Sequence, residues 1–355
     1  MSTRSWMVAA LFCATASGLC GCASFGAERL DRDEVDYARA LAFSKKQQTL
    51  ANIVSLRYAD APSFLSVTQI IAGHSQVASV TGTGTVAATA ANSSSVLGGT
   101  LSFSNNPTFT FTPTTGEELA ASYIRPLAPA MILPLAQSGV PIDLLLRIAV
   151  QSVGDLQNSA ALGGAGSAGS IGFFQLTHAL RRLQIAGALT VRYEKDNAAG
   201  RVFLAIDAGP QPPDAVAADE KLVRDLLHAK AREMEFVYGS APQDGSRISI
   251  VTRSMQSILT EIGAQIELPA DEIKSHAVMP TVQIIGVETR PIIIVHVGAK
   301  APSNAFVDIA YGDHHYWIDT DDFDSKFAFS VVQDLIALAE VNQNGKQAIV
   351  TIPAS

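Results

Sequence analysis

The chain has 355 residues, of which 48% are hydrophobic and 16% charged, and its formal net charge is -8. This composition is typical of a folded protein rather than of a disordered chain, and the length allows one large or two ordinary domains. The Lys and Arg residues are scattered and form no concentrated basic face, which argues against a nucleic-acid partner.

Residues 1–21 predict a secretory signal peptide, because Arg4 is followed by a short apolar stretch that begins at Trp6 and ends in small residues. The sequence Leu19-Cys20-Gly21-Cys22 then resembles the lipobox of bacterial lipoproteins, in which an aliphatic and a small residue precede the lipidated cysteine. We therefore predict cleavage before Cys22 and lipidation of Cys22. The alternative is an ordinary cleaved signal whose cysteines are accidental.

The cysteine positions fit this interpretation. Cys13, Cys20 and Cys22 are the only cysteines, so the mature chain would keep just the lipidated one, with no internal disulfide and no cysteine-based metal site. The acyl chains that the resemblance implies would anchor the protein to the membrane. Ala23 follows where aspartate would signal inner-membrane retention, which favours the periplasmic face of the outer membrane.

Apolar residues recur at helical spacing over residues 31–58 and predict a helix. Residues 64–80 are rich in β-formers, and the small and polar residues of 81–100 lead to a second segment in which apolar and polar residues alternate. We predict a long hairpin over residues 64–112 with a flexible tip. The helix and the hairpin would form a membrane-proximal module over residues 22–157.

Three prolines, Pro126, Pro129 and Pro134, cut the next helical stretch into short pieces. A clearer helix begins at Pro141 and extends to Val153. Residues 158–172 are mostly Gly, Ala and Ser, so we predict a flexible linker there, followed by a second domain.

The second domain, residues 173–355, has a mixed pattern, and the whole chain is predicted to be α+β. Predicted helices cover residues 173–185, 215–232, 254–262 (with Gly263 as C-cap) and 323–340. Predicted strands cover residues 189–195, 202–207, 235–238, 247–252, 291–297, 305–310, 316–318 and 348–352.

Two short motifs resemble nucleotide or hydrolase signatures but lack their context. Residues 164–169 match G-x-G-x-x-G, yet no strand precedes them, so we interpret them as linker and predict no nucleotide cofactor. Gly73-His74-Ser75 lacks the second glycine of a nucleophile elbow. We assign no catalytic residue.

Acidic and histidine side chains are densest over residues 313–324, but their spacing does not fit a calcium loop. We interpret the segment as a turn from strand to helix, with Asp322 or Asp324 near the N-cap, and a cation site is the alternative. His178, His228 and His276 are isolated and are interpreted as surface or capping residues. We predict no metal site.

Several short stretches resemble a family of uncharacterised bacterial lipoproteins. They are 56–62, Pro107-Thr108 with Pro113, Gly116-Glu117, 135–139, 150–152, 252–254, 316–319 and Ser325-Lys326. The resemblance spans most of the mature chain and implies an envelope location, but it brings no catalytic residue.

We therefore predict a lipid-anchored envelope protein with a binding or assembly role, whose partners are the membrane and an envelope protein or a second copy of itself. One alternative is an oligomeric pore or secretion-type component that uses the 64–112 hairpin, although Asn105-Asn106-Pro107 breaks its returning limb. A second alternative is a periplasmic hydrolase whose site has no recognisable motif.

Overall fold

The chain has an α+β fold in the computed structural model, which describes residues 27–71, 74–85, 94–105, 108–161, 169–195, 200–239, 245–269, 272–273, 278 and 290–341. Contacts divide it into two compact units. Unit 1 comprises Met1–Asp60, Ile262–Thr281 and Pro291–Gln333, and unit 2 comprises Ala61–Glu261, Val282–Arg290 and Asp334–Ser355. No helix in the described ranges is both long and apolar enough to cross a membrane.

The α-helices are α1 (Ala27–Arg57), α2 (Gly116–Leu119), α3 (Pro129–Ile132), α4 (Ile142–Ala149), α5 (Ile171–Ile185), α6 (Asp214–Leu226), α7 (Met255–Gly263) and α8 (Phe323–Val341). A π-helical turn, Ala120–Ile124, follows α2, and a 3-10 turn, Leu133–Ala136, follows α3.

The strands are β1 (Leu65–Ile71), β2 (His74–Thr85), β3 (Ser94–Asn105), β4 (Thr108–Pro113), β5 (Val150–Val153), β6 (Leu156–Gln157), β7 (Leu189–Glu194), β8 (Arg201–Ile206), β9 (Glu233–Tyr238), β10 (Arg247–Thr252), β11 (His296–Gly298), β12 (Val307–Tyr311) and β13 (His314–Ile318).

Unit 2 is built on a six-stranded sheet with the order β6-β5-β10-β9-β8-β7, in which only β9 and β10 pair in parallel. Helix α5 packs against α4 and α6 and buries Phe173, Phe174, Leu180 and Leu183. Ser170 caps α5 by accepting a hydrogen bond from the Phe173 amide.

The sheet of unit 2 contains strands from both sides of the predicted linker at 158–172. Asn158 and Ser159 are buried, and the side-chain amide of Asn158 donates to the carbonyls of Arg147 and Val150. At the other end the Ser170 amide donates to the Gln157 carbonyl, at 2.8 Å. The described ends of this segment are therefore held within unit 2 and do not separate two domains; residues 162–168 lie outside the described residues.

Unit 1 packs α1 against β12 of a three-stranded antiparallel sheet with the order β11-β13-β12. Leu50, Ile53 and Val54 of α1 are fully buried. Further core side chains come from the sheet and from the first half of α8, namely Val307, Tyr316, Ile318 and Phe329.

Several predicted boundaries differ from the structure. Helix α4 ends at Ala149 and not at Val153, because Val150 is extended and begins a strand that pairs with β10. Helix α6 ends at Leu226 and not at residue 232, since His228 has a left-handed φ of 51°.

Of the strand predicted at 291–297, only His296 and Val297 lie in a strand of the structure, at the start of β11. The amides of Ile292 and Ile294 donate to the side chains of Gln265 and Ser325 instead of to a neighbouring strand. Tertiary hydrogen bonds therefore override the strand propensity of this apolar run. The predicted strand at 348–352 lies outside the described residues.

Candidate functional site

The predicted hairpin is present, and we call residues Leu65–Pro113 the arm. Strands β1 and β4 pair at its base, and β2 and β3 continue beyond them, all antiparallel. Residues 81–85 and 94–100, which the sequence assigned to a flexible tip, are strand; residues 86–93 lie outside the described residues. The two strands of 12 residues each correspond to a length of about 40 Å.

The base of the arm is fixed to unit 2 by a stacked aromatic pair. Phe64 is buried, and its ring stacks on Tyr123 with 3.6 Å between the ring centroids. The Thr114 amide donates to the Phe64 carbonyl at 3.0 Å, which continues the antiparallel pairing to the first residue outside the arm. Tyr123 donates to Glu340 at 2.6 Å. Burial, together with this hydrogen bond, raises the pKa of Tyr123 above its usual value.

The pairing register of the arm has one irregularity. It shifts between Val67 and Gln69, so that Thr68 is an extra residue in the outgoing limb, as in a β-bulge. The register is then the same from Gln69↔Thr110 through His74↔Asn105 to Thr85↔Ser94. The break predicted at Asn105-Asn106-Pro107 coincides with the end of β3 and the start of β4.

The arm contains no charged residue. No Asp, Glu, Lys or Arg occurs between Asp60 and Glu117, and His74 is the only titratable residue in this interval. Among the described strands, β1 and β4 pair only with each other, and so do β2 and β3. Each limb of the arm is thus an edge that offers backbone N–H and C=O groups for hydrogen bonding to another strand.

A polar cavity of about 440 Å³ lies in unit 2 beside α7. It is lined by Gln151, Ala160, Ala161, Arg253, Ser254, Gln256, Ser257, Thr260 and Glu261.

The two charged groups of this cavity serve the packing of the protein itself. Arg253 is buried and donates to the carbonyls of Arg147 and Ile148 at 2.7 and 3.2 Å and to that of Ser159. Glu261 accepts from the Ser159 hydroxyl at 2.6 Å and from the Ala161 amide at 2.7 Å. Burial lowers the pKa of Arg253, and the nearby Glu261 partly offsets this effect. Sequence analysis missed this network, because its partners are distant in the chain.

His296 of unit 1 lies between two carboxylates. Its Nδ1 is 3.1 Å from Glu267 and its Nε2 is 3.2 Å from Asp319, which also accepts a 3.0 Å hydrogen bond from Trp317. An imidazolium ion can donate to both carboxylates, whereas a neutral imidazole has a single N–H. Among the described residues, no three His, Cys, Asp or Glu side chains are grouped to hold a metal ion.

The acidic segment at 313–324 disperses in the structure. His314 faces Glu272 at 3.6 Å, and Asp319 faces His296. Asp322 precedes α8 and accepts a 3.2 Å hydrogen bond from the Ser325 amide, as an N-cap residue does. The interpretation as a turn into a helix is confirmed, with Asp322 as the cap.

The remaining sequence candidates do not meet in one site. His178 lies on α5, and His228 is exposed at the end of α6. The described glycine of the 164–169 motif is Gly169, whose φ is +77° and where a Cβ would lie 2.8 Å from the Asn158 carbonyl carbon. It therefore serves loop closure. Cys22, Gly73 and His276 lie outside the described residues.

Comparison with known proteins gives no match: no family model, no curated protein and no solved structure is similar to this chain.

Proposed function

We propose that this chain is a lipid-anchored protein of the bacterial cell envelope, on the periplasmic side of the outer membrane, and that it binds or assembles other protein through the arm rather than catalysing a reaction. The observation that carries the proposal is the long, charge-free, two-stranded arm.

A two-stranded ribbon is only marginally stable alone in water, and a third strand or a packed face is what normally stabilises it. The arm also exposes two edges to strand addition, a recognition mode in which main-chain hydrogen bonds provide the affinity. Both facts support a role in which the arm gains its neighbours from a partner.

The location follows from the lipobox at Cys22. We expect the wild-type chain, expressed with its own signal, to fractionate with outer membranes, and Cys22→Ser to be released into the soluble periplasm. Cys20→Ser is the matched control, because it alters the same segment but keeps the predicted acceptor. Membrane retention of Cys22→Ser, or an N-terminus without acyl chains by mass spectrometry, contradicts this part of the proposal.

The assembly role is tested by the size of the complex extracted from membranes in mild detergent. We expect the wild-type chain to migrate as part of a larger complex on native gels, and a variant in which residues 72–107 are replaced by Asn-Gly to migrate as a monomer. Equal sizes for the two chains would refute a role of the arm in assembly.

A further inference from the structure

Resting on the proposed assembly role, we infer that the partner of the arm is the arm of a second copy of this chain, paired edge to edge through β2 or β3. The inference begins from a contrast within unit 2. The six-stranded sheet has one edge strand, β6, of only 2 residues. Its other edge strand, β7, carries Arg192 and Glu194, which are 43% and 46% exposed.

Short strands and charged side chains are the ordinary devices that prevent edge-to-edge pairing. The arm has neither device. Strands β2 and β3 are 12 residues long, contain no proline and no charged residue, and keep one register along their full length. Every backbone amide on their outer edges can therefore donate to a further strand. The same chain thus protects its sheet edges in one place and leaves them open in the other.

The uncharged sequence favours a second copy as the occupant. Like charges that face each other across a strand pair oppose self-pairing, and this arm has none to bring together. It equally lacks the charges that would select a partner of opposite sign. Anchoring through Cys22 would confine all copies to one membrane surface at one height. This confinement raises the effective concentration that the arm of one copy presents to the arm of another.

Single-cysteine crosslinking tests this pairing, because the mature chain has no other free thiol if Cys22 is acylated. The full chain is expressed with its signal and carries one cysteine at a time: Ser75→Cys, Ser79→Cys, Thr83→Cys, Thr100→Cys, Ser102→Cys or Ser104→Cys. Membranes are then treated with a mild oxidant. In a symmetric antiparallel pair one position lies near its own copy, so we expect disulfide-linked dimers to peak at one or two neighbouring positions of one strand.

Ser330→Cys, at an exposed position on α8, is the control and should yield about tenfold less dimer, because it lies outside the arm and a disulfide needs two closely approaching Cα atoms. Charges provide a second test. Chains with Thr83→Lys and Ser102→Lys, or with Thr83→Glu and Ser102→Glu, should each fail to pair with themselves, whereas coexpression of the two should restore mixed dimers.

The outcomes separate the two proposals. A photocrosslinker at the same positions that captures a different protein, with no disulfide dimers, overturns the self-pairing and leaves the assembly role standing. Crosslinks to no protein at all overturn both. Dimers that form equally at every position and at Ser330→Cys overturn the self-pairing as well, since they show contact without a register.

Discussion

Three tyrosines of unit 1 hold their protons unusually firmly. The Tyr58 hydroxyl donates to Glu272 and shares a hydrogen bond with Tyr316, and Tyr311 donates to Asp60. Burial, reinforced by the bond to Asp60, raises the pKa of Tyr311 to about 12, and burial is also the largest cause of the raised pKa values of Tyr58 and Tyr316. These phenols therefore stay neutral in the folded protein at a pH at which an unfolded chain ionises.

We expect the free energy of unfolding to fall as the pH rises above about 10, the ordinary pKa of tyrosine. The unfolded chain then loses protons that the folded chain keeps, so alkali favours unfolding. Arg57 acts in the opposite direction, because burial lowers its pKa to about 10, and burial lowers the pKa of Arg253 and Lys46 as well. The tyrosines with a raised pKa, which include Tyr123 of unit 2, outnumber these three groups by one. Urea unfolding between pH 8 and pH 11.5 measures the effect.

Tyr311→Phe should make the fall in the free energy of unfolding above pH 10 less steep, because the substitution removes a titrating group. Near pH 8 the pH dependence of this free energy should stay unchanged. An equally steep alkaline decline in the wild type and in Tyr311→Phe would show that Tyr311 does not contribute.

Single residues differed in how far the sequence could predict them. The cap of α8 was predictable as Asp322 or Asp324 because capping bonds are local, and the structure identifies Asp322 through its bond to Ser325. The pairing of Glu261 with Ser159, or of His296 with Glu267, depends on residues that only the folded chain brings together. Local hydrogen-bond chemistry can be inferred from spacing, and long-range chemistry cannot.

At the scale of elements, α1 and α7 meet at a glycine. The sequence predicts Gly263 as a C-cap, and α7 does end there. The structure adds a packing reason, since a Cβ at Gly263 would lie 2.8 Å from the Ile53 carbonyl oxygen of α1. The buried Arg57 also donates to the Gly263 carbonyl at 3.1 Å. The end of α7 at Gly263, which belongs to unit 1, therefore approaches α1 closely only because this residue has no side chain.

Gly263→Ala should destabilise the protein by about 1–3 kcal/mol, the usual cost of an overpacked contact. The sign is diagnostic, because Gly263 lacks the left-handed φ of many C-cap glycines, and Gly→Ala at a helical φ ordinarily stabilises by about 0.5–1 kcal/mol. Gly172→Ala on α5 is the matched control: its Cβ would meet the ends of two flexible side chains, Leu156 at 2.9 Å and Leu226 at 3.6 Å, and no backbone atom within 4 Å. If chemical denaturation gave the same change in the free energy of unfolding for both variants, this result would contradict the packing argument.

The periodicity of the sequence located most helices and strands but not every boundary. The apolar face that begins at Ile142 continues past Ala149, yet the chain turns into β5, because pairing with β10 satisfies its backbone groups in another way. The small residues of 158–172 indicate flexibility, and only the structure shows that the Asn158 side chain holds its start in place. Composition indicates the local conformational propensity of a segment, whereas tertiary hydrogen bonds determine the conformation that the segment adopts in the folded protein.

At the scale of the whole molecule, we expect the arm to contribute little to the stability of the rest of unit 2, because its strands pair, among the described strands, only with each other. Replacing residues 72–107 by Asn-Gly joins Ile71 to Thr108, which are already partners, through a turn suited to an antiparallel hairpin. A change of ~1 kcal/mol in the free energy of unfolding shifts Tm by about 2–4 °C in a domain of this size. We expect the replacement to change this free energy by less than that, and Tm therefore to change by no more than about 2 °C. A larger fall in calorimetry would mean that the arm packs against the unit.

The position of the arm was evident in the sequence, because β-formers at 64–80 and alternating apolar residues after 100 mark its two limbs. Its regular register through 81–85 and 94–100 was not evident, because Gly, Ala and Ser also compose flexible loops.

The unshifted register of β2 and β3 limits how this region can change during evolution. A one-residue insertion or deletion in a single limb would turn every residue beyond it to the opposite face of the ribbon, unless a β-bulge like that at Thr68 accommodated it. Matched changes in both limbs would alter only the length. Related chains should therefore carry hairpins of different lengths, in which the two limbs have gained or lost the same number of residues.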